Sequence, residues 1–292
     1  MSENTAERTI ATHVVGDGED AITYDVHGSL DEATADRPAL FVFGAPMDAS
    51  GFQQLAGELA DRPVITYDPR GAGRNPVGTD DLSVEQHAED LHRVISALGV
   101  GPVDAFGTSG GAVTLLRLLA AHPEDVRTAV AHEPPLAPGL PDRDTVLDVL
   151  ADLKRTYAAQ GDGAAMAKFI ALVTLDGPVP DDYLERPAPD PAMFGMSGDD
   201  DGSRTNPLLR NMPALNTYEI DVAALRERGD RLVIAAGVES GDSLAARGAR
   251  AVAAAVGRPV TEFPSHHGGF MDQPGYPGDP AGFAARLREV LG

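Results

Sequence analysis

Short apolar runs alternate with longer stretches whose apolar residues recur at helical spacing, the pattern of a parallel sheet with crossover helices. Apolar runs at 39–43, 63–67, 103–106, 126–132, 232–236 and 259–263 predict buried strands, and helical periodicity marks 50–60, 84–98, 110–121, 243–256 and 280–291. The opening differs. Residues 10–15 and 21–27 alternate apolar and polar around Gly16-Asp17-Gly18, which predicts a hairpin and an antiparallel start to the sheet. Residues 1–9 carry no such pattern and are expected to form a flexible N-terminus.

From 135 to 228 the rhythm breaks. Pro134-Pro135-Leu136-Ala137-Pro138 opens the stretch, and two amphipathic helices follow near 144–160 and 163–175. A Pro- and Asp-rich passage from Pro178 to Gly202 comes next, without a strand signal. The expected organisation is a core of 10–134 and 229–292 carrying a helical cap insertion at 135–228. The first helix offers an apolar face of Val146, Leu147, Val149, Leu150 and Leu153, and the second one of Met166, Phe169, Ile170 and Val173. Most of these are expected to pack on the core, and the underside of this mobile cap, with Met166 and Phe169, to wall an apolar substrate pocket. Flexible methionines at 166, 193 and 196 suit a pocket that adapts to its ligand. The cluster Gly198-Asp199-Asp200-Asp201-Gly202 lacks the spacing of a calcium loop and fits a solvated turn.

Charge narrows the partners. The net charge is −22, and lysine occurs only at 154 and 168, so nearly all positive charge is arginine. An acidic surface repels phosphate backbones and anionic lipid, so neither nucleic acid nor membrane is an expected partner. No cysteine is present, which excludes disulfides and thiolate metal sites. The first residues lack the basic start and apolar run of a signal peptide, and no apolar stretch reaches membrane-spanning length; the expectation is a cytoplasmic protein.

The chemistry centres on Gly107-Thr108-Ser109-Gly110-Gly111, between a predicted strand and a predicted helix. In a strand–turn–helix setting, this pattern forces the serine into a strained conformation, and only small neighbours fit at −2 and +2. Its Oγ then stands clear of the sheet at a helix N-terminus, where developing negative charge is stabilised. Two further turns fit the same plan: Tyr67-Asp68-Pro69-Arg70-Gly71-Ala72-Gly73-Arg74 and Phe43-Gly44-Ala45-Pro46. Gly71 and Gly73 do not make a dinucleotide site, because the third glycine position is Pro76 and no helix start follows.

With these turns the chain, from about 20 to 291, resembles the α/β-hydrolase superfamily, serine hydrolase branch. The turn at 67–74 is similar to the family's D-x-R-G-x-G-x-S segment, with Asn75 where serine is usual. The turn at 43–46 resembles its His-Gly-x-Pro oxyanion turn, with Phe43 in place of histidine. The resemblance implies a mostly parallel sheet with flanking helices, Ser109 as nucleophile, and the N–H groups of Ala45 and Gly110 as the oxyanion hole. It places the base after the last strand, in Ser265-His266-His267-Gly268, with His267 first and His266 as runner-up. The triad's carboxylate is expected after the seventh strand at Glu239, which lies 28 positions before His267; Asp242 and, at the end of the sixth strand, Glu133 are the alternatives. An esterase-type reaction on a small-molecule acyl substrate, without metal or organic cofactor, is the implied activity. Thioesterase, lactonase, peptidase and carbon–carbon hydrolase chemistry share this machinery, and a hydrolase-fold binding protein without turnover is the rival from another class.

Overall fold

A computed structural model describes residues 8–78 and 82–292 of the chain. Eight strands form one sheet: β1 Ile10–Val15, β2 Ile22–His27, β3 Leu40–Phe43, β4 Val64–Tyr67, β5 Val103–Thr108, β6 Val126–His132, β7 Leu232–Gly237 and β8 Val260–Phe263. Their order is β1-β2-β4-β3-β5-β6-β7-β8. β1 pairs antiparallel with β2, and β2 with β4; every later pairing is parallel. The expected hairpin forms, with Val15 opposite Ile22 at its closed end. Most of the expected N-terminal tail lies outside the described residues. Arg8 is held by the carbonyls of Leu59 and Arg62, and Thr9 O accepts from Gly28 N–H at 2.9 Å.

Central strands are largely apolar because both of their faces are covered, and β3 is apolar throughout. Along β3 the faces alternate. Phe41 and Phe43 join the core layer that holds the helices α2 (Val84–Leu98) and α3 (Gly110–Ala121). Leu40 and Val42 join the opposite layer, with α1 (Gln53–Glu58) and, near the C-terminus, Pro280–Leu291. Local chemistry sets the ends of these helices. Ser83 caps α2 through a bond from Gln86 N–H at 3.1 Å, and Gly99, at φ 67°, ends it.

Between β6 and β7 the described residues form helices and turns without a strand: α4 Arg143–Val173, α5 Pro207–Thr217 and α6 Val222–Arg226. α4 breaks at Gly161, whose φ of 78° and ψ of −166° interrupt the helix between the two expected segments. A side chain there would meet Asp200 at 2.4 Å as well as a conformation that glycine alone tolerates. These helices bury a third core cluster of their own, around Val149, Leu150, Leu153, Leu209 and Met212. The remaining helices, α7 Leu244–Val256 and α8 Pro280–Leu291, return to the sheet. No helix among the described residues is long and apolar enough to cross a membrane.

Candidate active site

Parallel strands deliver their carboxyl ends to one edge of the sheet, and the candidate residues gather there. Ser109 follows β5 and opens α3; Glu133 follows β6; His267 follows β8; Ala45 follows β3. Three non-glycine residues among those described have positive φ: Ser109 at 56°, Glu133 at 49° and Ser265 at 65°. All three lie at this edge, where local strain holds side chains in directions that a regular strand end would not give.

Close backbone approach explains the glycines around Ser109. A Cβ on Gly110 would stand 2.2 Å from Ala45 O, and one on Gly111 would stand 2.7 Å from Gly44 Cα. The turn after β3 is thereby packed directly against the first residues of α3. Gly110 is the first residue of α3, so its N–H has no acceptor within the helix. Ser109 N–H donates to His132 O at 2.9 Å, which locks the end of β5 to the end of β6. Phe43, in place of the family's histidine, is fully buried and packs edge-on against Phe41 and Tyr67. Support for the turn comes instead from Asp68, whose Oδ1 accepts from Ala49 N–H at 3.0 Å. Asp68 is in turn paired with Arg74, and Asn75 ties the same loop to Thr23 N–H at 2.8 Å.

The carboxylate beside His267 corrects the expectation of Glu239. Glu133 Oε2 accepts from His267 Nδ1 at 2.6 Å, and Glu133 Oε1 accepts from Gly237 N–H at 2.8 Å. Glu133 is completely buried, whereas Glu239 extends into solvent and, among the described residues, engages only through its backbone N–H, with Ser265 O. Asp242 is also exposed and pairs with Arg250 at 2.6 Å. Burial by itself would push the Glu133 carboxyl up; the hydrogen bond from His267 and the nearby His132 outweigh it and hold it down at about 2. With Nδ1 donating to a carboxylate, the neutral ring carries its proton on Nδ1, and Nε2 is left as the basic nitrogen. His266 is differently engaged. Its Nε2 donates to Pro277 O at 3.0 Å, and its Nδ1 accepts from Gly268 N–H at 3.1 Å.

Beneath this pair lies His132, fully buried among Phe106, Phe263 and Phe283. Its Nδ1 meets Thr108 Oγ1 at 3.0 Å, and its Nε2 has no partner. Burial pushes this imidazole down to about 4, so it is neutral near pH 7.

Two cavities meet at Ser109. An outer one of about 470 Å³ is bordered by Met47, Asp48, Asn206, Phe270 and Met271. An inner one of about 370 Å³ is bordered by Gly110, Leu150, Phe169, Leu172, Met212 and Leu215. Ala45, Ser109, Leu208, His267 and Tyr276 border both. No hydrogen bond joins Ser109 to His267 among the described contacts; such bonds commonly tighten only when substrate binds.

Phe169 thus faces a cavity, while Met166 packs into the third core cluster and borders neither cavity. Met193 is 77% exposed, and Met196 also borders neither. The methionines at the cavities are Met47, Met212 and Met271. Sequence reasoning missed these and the whole of α5, although Leu208, Met212 and Leu215 recur at helical spacing. Pro213 within the helix obscured that signal.

Among the described residues, two groups of side chains could each offer three metal ligands: His132, Glu133 and His267, and, away from this site, His92, His122 and Asp125. In the first, both histidines already use Nδ1, toward Thr108 and Glu133. In the second, the rings stack 3.9 Å apart and nearly parallel, so their lone pairs do not converge on one point. Each ring is also held by its own carboxylate, Asp125 or Glu89.

Residues 38–181 match the family described as alpha/beta hydrolase fold. An uncharacterized hydrolase of Bacillus subtilis, YraK, is 39% identical over 98 residues, which is 32% of this chain and 36% of that protein. The chain thus spans about a third of the length of the curated relatives it matches. Solved structures match over nearly the whole chain. MGS-M2, an alpha/beta hydrolase enzyme from a Medee basin deep-sea metagenome library, aligns with a TM-score of 0.70 at 15% identity, covering 96% of this chain and 97% of that one. The enol-lactonase from Burkholderia xenovorans LB400 aligns with a TM-score of 0.64 at 18% identity, covering 93% and 96%. At those identities the likeness is one of fold. Strand order, strained serine turn and family match agree: the chain has the α/β-hydrolase fold, and residues 38–181 match that family.

Proposed function

We propose that this chain is a serine hydrolase of the esterase type, acting on a small-molecule acyl substrate through Ser109, His267 and Glu133. The observation that carries this reading is the 2.6 Å bond from His267 Nδ1 to the buried Glu133. It leaves Nε2 as the base of a ring that borders the same two cavities as Ser109. Ser109 Oγ attacks the acyl carbon while its proton passes to His267 Nε2. The N–H groups of Ala45 and Gly110 hold the resulting oxyanion, aided by the N-terminus of α3. Collapse breaks the bond to the leaving group, which takes the proton from Nε2 and departs. Water then attacks the acyl-enzyme with His267 again as base, and Ser109 recovers its proton. Glu133 stays ionised and supports the imidazolium formed in each half-reaction. No step calls for a metal or an organic cofactor.

Treatment with a fluorophosphonate probe tests the reading. The protein is expected to be labelled on Ser109 and to turn over p-nitrophenyl esters, with Ser109→Ala folded but unlabelled and slower by about 10³-fold or more. Unlabelled wild-type protein that binds esters without cleaving them would make it a binding protein instead.

A further inference from the structure

Both cavities at Ser109 are closed to negative charge. Among the described residues neither is bordered by a lysine or an arginine. The inner cavity is walled mainly by aliphatic and aromatic side chains from α4 and α5. Of its polar side chains, Thr174 donates to Ile170 O at 2.7 Å, Asn216 donates to Pro135 O at 2.6 Å and Ser243 accepts from Ala246 N–H at 3.4 Å; Tyr276, Ser109 and His267 complete the polar lining. A substrate carboxylate placed there would exchange its water for neutral donors alone, with no cation to balance its charge. The outer cavity holds a carboxylate of its own, Asp48. Its Oδ1 accepts from Ser50 N–H at 2.9 Å and from Ser50 Oγ at 2.5 Å, and no cation pairs with it among the described residues. The whole chain adds a net charge of −22.

The two cavities also differ in how they meet the reacting atoms. Gly110, at the N-terminus of α3, borders only the inner one, while the segment after the base (Gly268, Phe270 and Met271) borders only the outer one. The leaving group must sit where His267 Nε2 protonates it, and water must later enter by the path it vacates. That assigns the leaving group to the outer cavity and the acyl group to the inner one.

We infer that the site selects esters with an uncharged, apolar acyl chain in the inner cavity and a neutral or cationic leaving group beside Asp48, and rejects substrates whose acyl part is anionic. This rests on the serine hydrolase reading above.

Two substrate pairs and two variants test it. p-Nitrophenyl hexanoate is expected to exceed the mono-p-nitrophenyl ester of adipic acid in kcat/KM by on the order of 100-fold, since the two differ by one terminal carboxylate. Ala245→Arg puts a guanidinium at the inner wall and should shrink that gap by about tenfold or more. Butyrylcholine, corrected for its rate with hydroxide, should be preferred to its neutral isostere 3,3-dimethylbutyl butyrate, and Asp48→Asn should remove the preference while keeping the bond to Ser50. Equal use of the adipate and hexanoate esters, or no response to Ala245→Arg, would overturn the acyl assignment. A choline preference that is absent, or that survives Asp48→Asn, would overturn the leaving-group assignment. In these cases labelling and turnover at Ser109 persist, whereas failure of the hydrolase reading abolishes both.

Discussion

A hydrogen bond of 2.6 Å from His267 to Glu133 separates three carboxylates that sequence position left open. Replacing Glu133 with Gln keeps the shape but reverses the polarity at His267 Nδ1, so the ring adopts the wrong tautomer. kcat is expected to fall by about 10³-fold or more. Glu239→Gln, at an exposed side chain, should stay near wild type; the opposite ranking would return the role to Glu239. His132 carries another prediction at this scale. An unfolded imidazole takes a proton as pH falls past its ordinary 6.5, but the buried ring resists until about 4. Between those values the unfolded chain binds the extra proton, so stability drops as pH drops, by roughly 3 kcal/mol at most from this group. His27 and His87 are lowered by burial too and act in the same direction. Tm measured from neutral pH downward should therefore fall less steeply in His132→Phe than in wild type. Parallel curves would mean that His132 does not contribute.

At the scale of elements, α4 and α5 supply most of the apolar wall of the inner cavity at Ser109. Helical periodicity gave the two segments of α4 and their apolar faces, but not which apolar residue faces the cavity and which the cluster behind it. Phe169 borders the inner cavity, and Met166 packs away from it. Phe169→Asp is expected to penalise hexanoate esters over acetate esters by on the order of 100-fold, since four methylenes at about 0.8 kcal/mol each lose their apolar wall. Met166→Asp should instead lower Tm and leave the ratio of the two substrates unchanged. A shift in that ratio for Met166→Asp, with none for Phe169→Asp, would reverse the two roles. α5 escaped notice because Pro213 argues against a helix locally; tertiary packing of Leu209, Met212 and Leu215 sustains the helix around it.

For the whole molecule, the strand order sets the site. Ser109, Glu133 and His267 are far apart in sequence and converge because β5, β6, β7 and β8 are neighbours, each ending at the same edge. The sequence by itself determined the eight strands, the parallel architecture, the serine turn and the histidine after the last strand. These are properties of local periodicity and of turns whose residue types have steric causes. It left open which carboxylate meets His267, since Glu239, Asp242 and Glu133 all follow strand ends. Only the tertiary structure decided among them: a left-handed backbone at Glu133 carries its carboxylate to His267 Nδ1 and Gly237 N–H, while Glu239 is pinned by its backbone with its side chain in water. The division of the site into two cavities without a lysine or arginine at their walls was likewise illegible, because their linings come from several separate segments. Side-chain direction and long-range contact carry that information, and neither has a period along the chain.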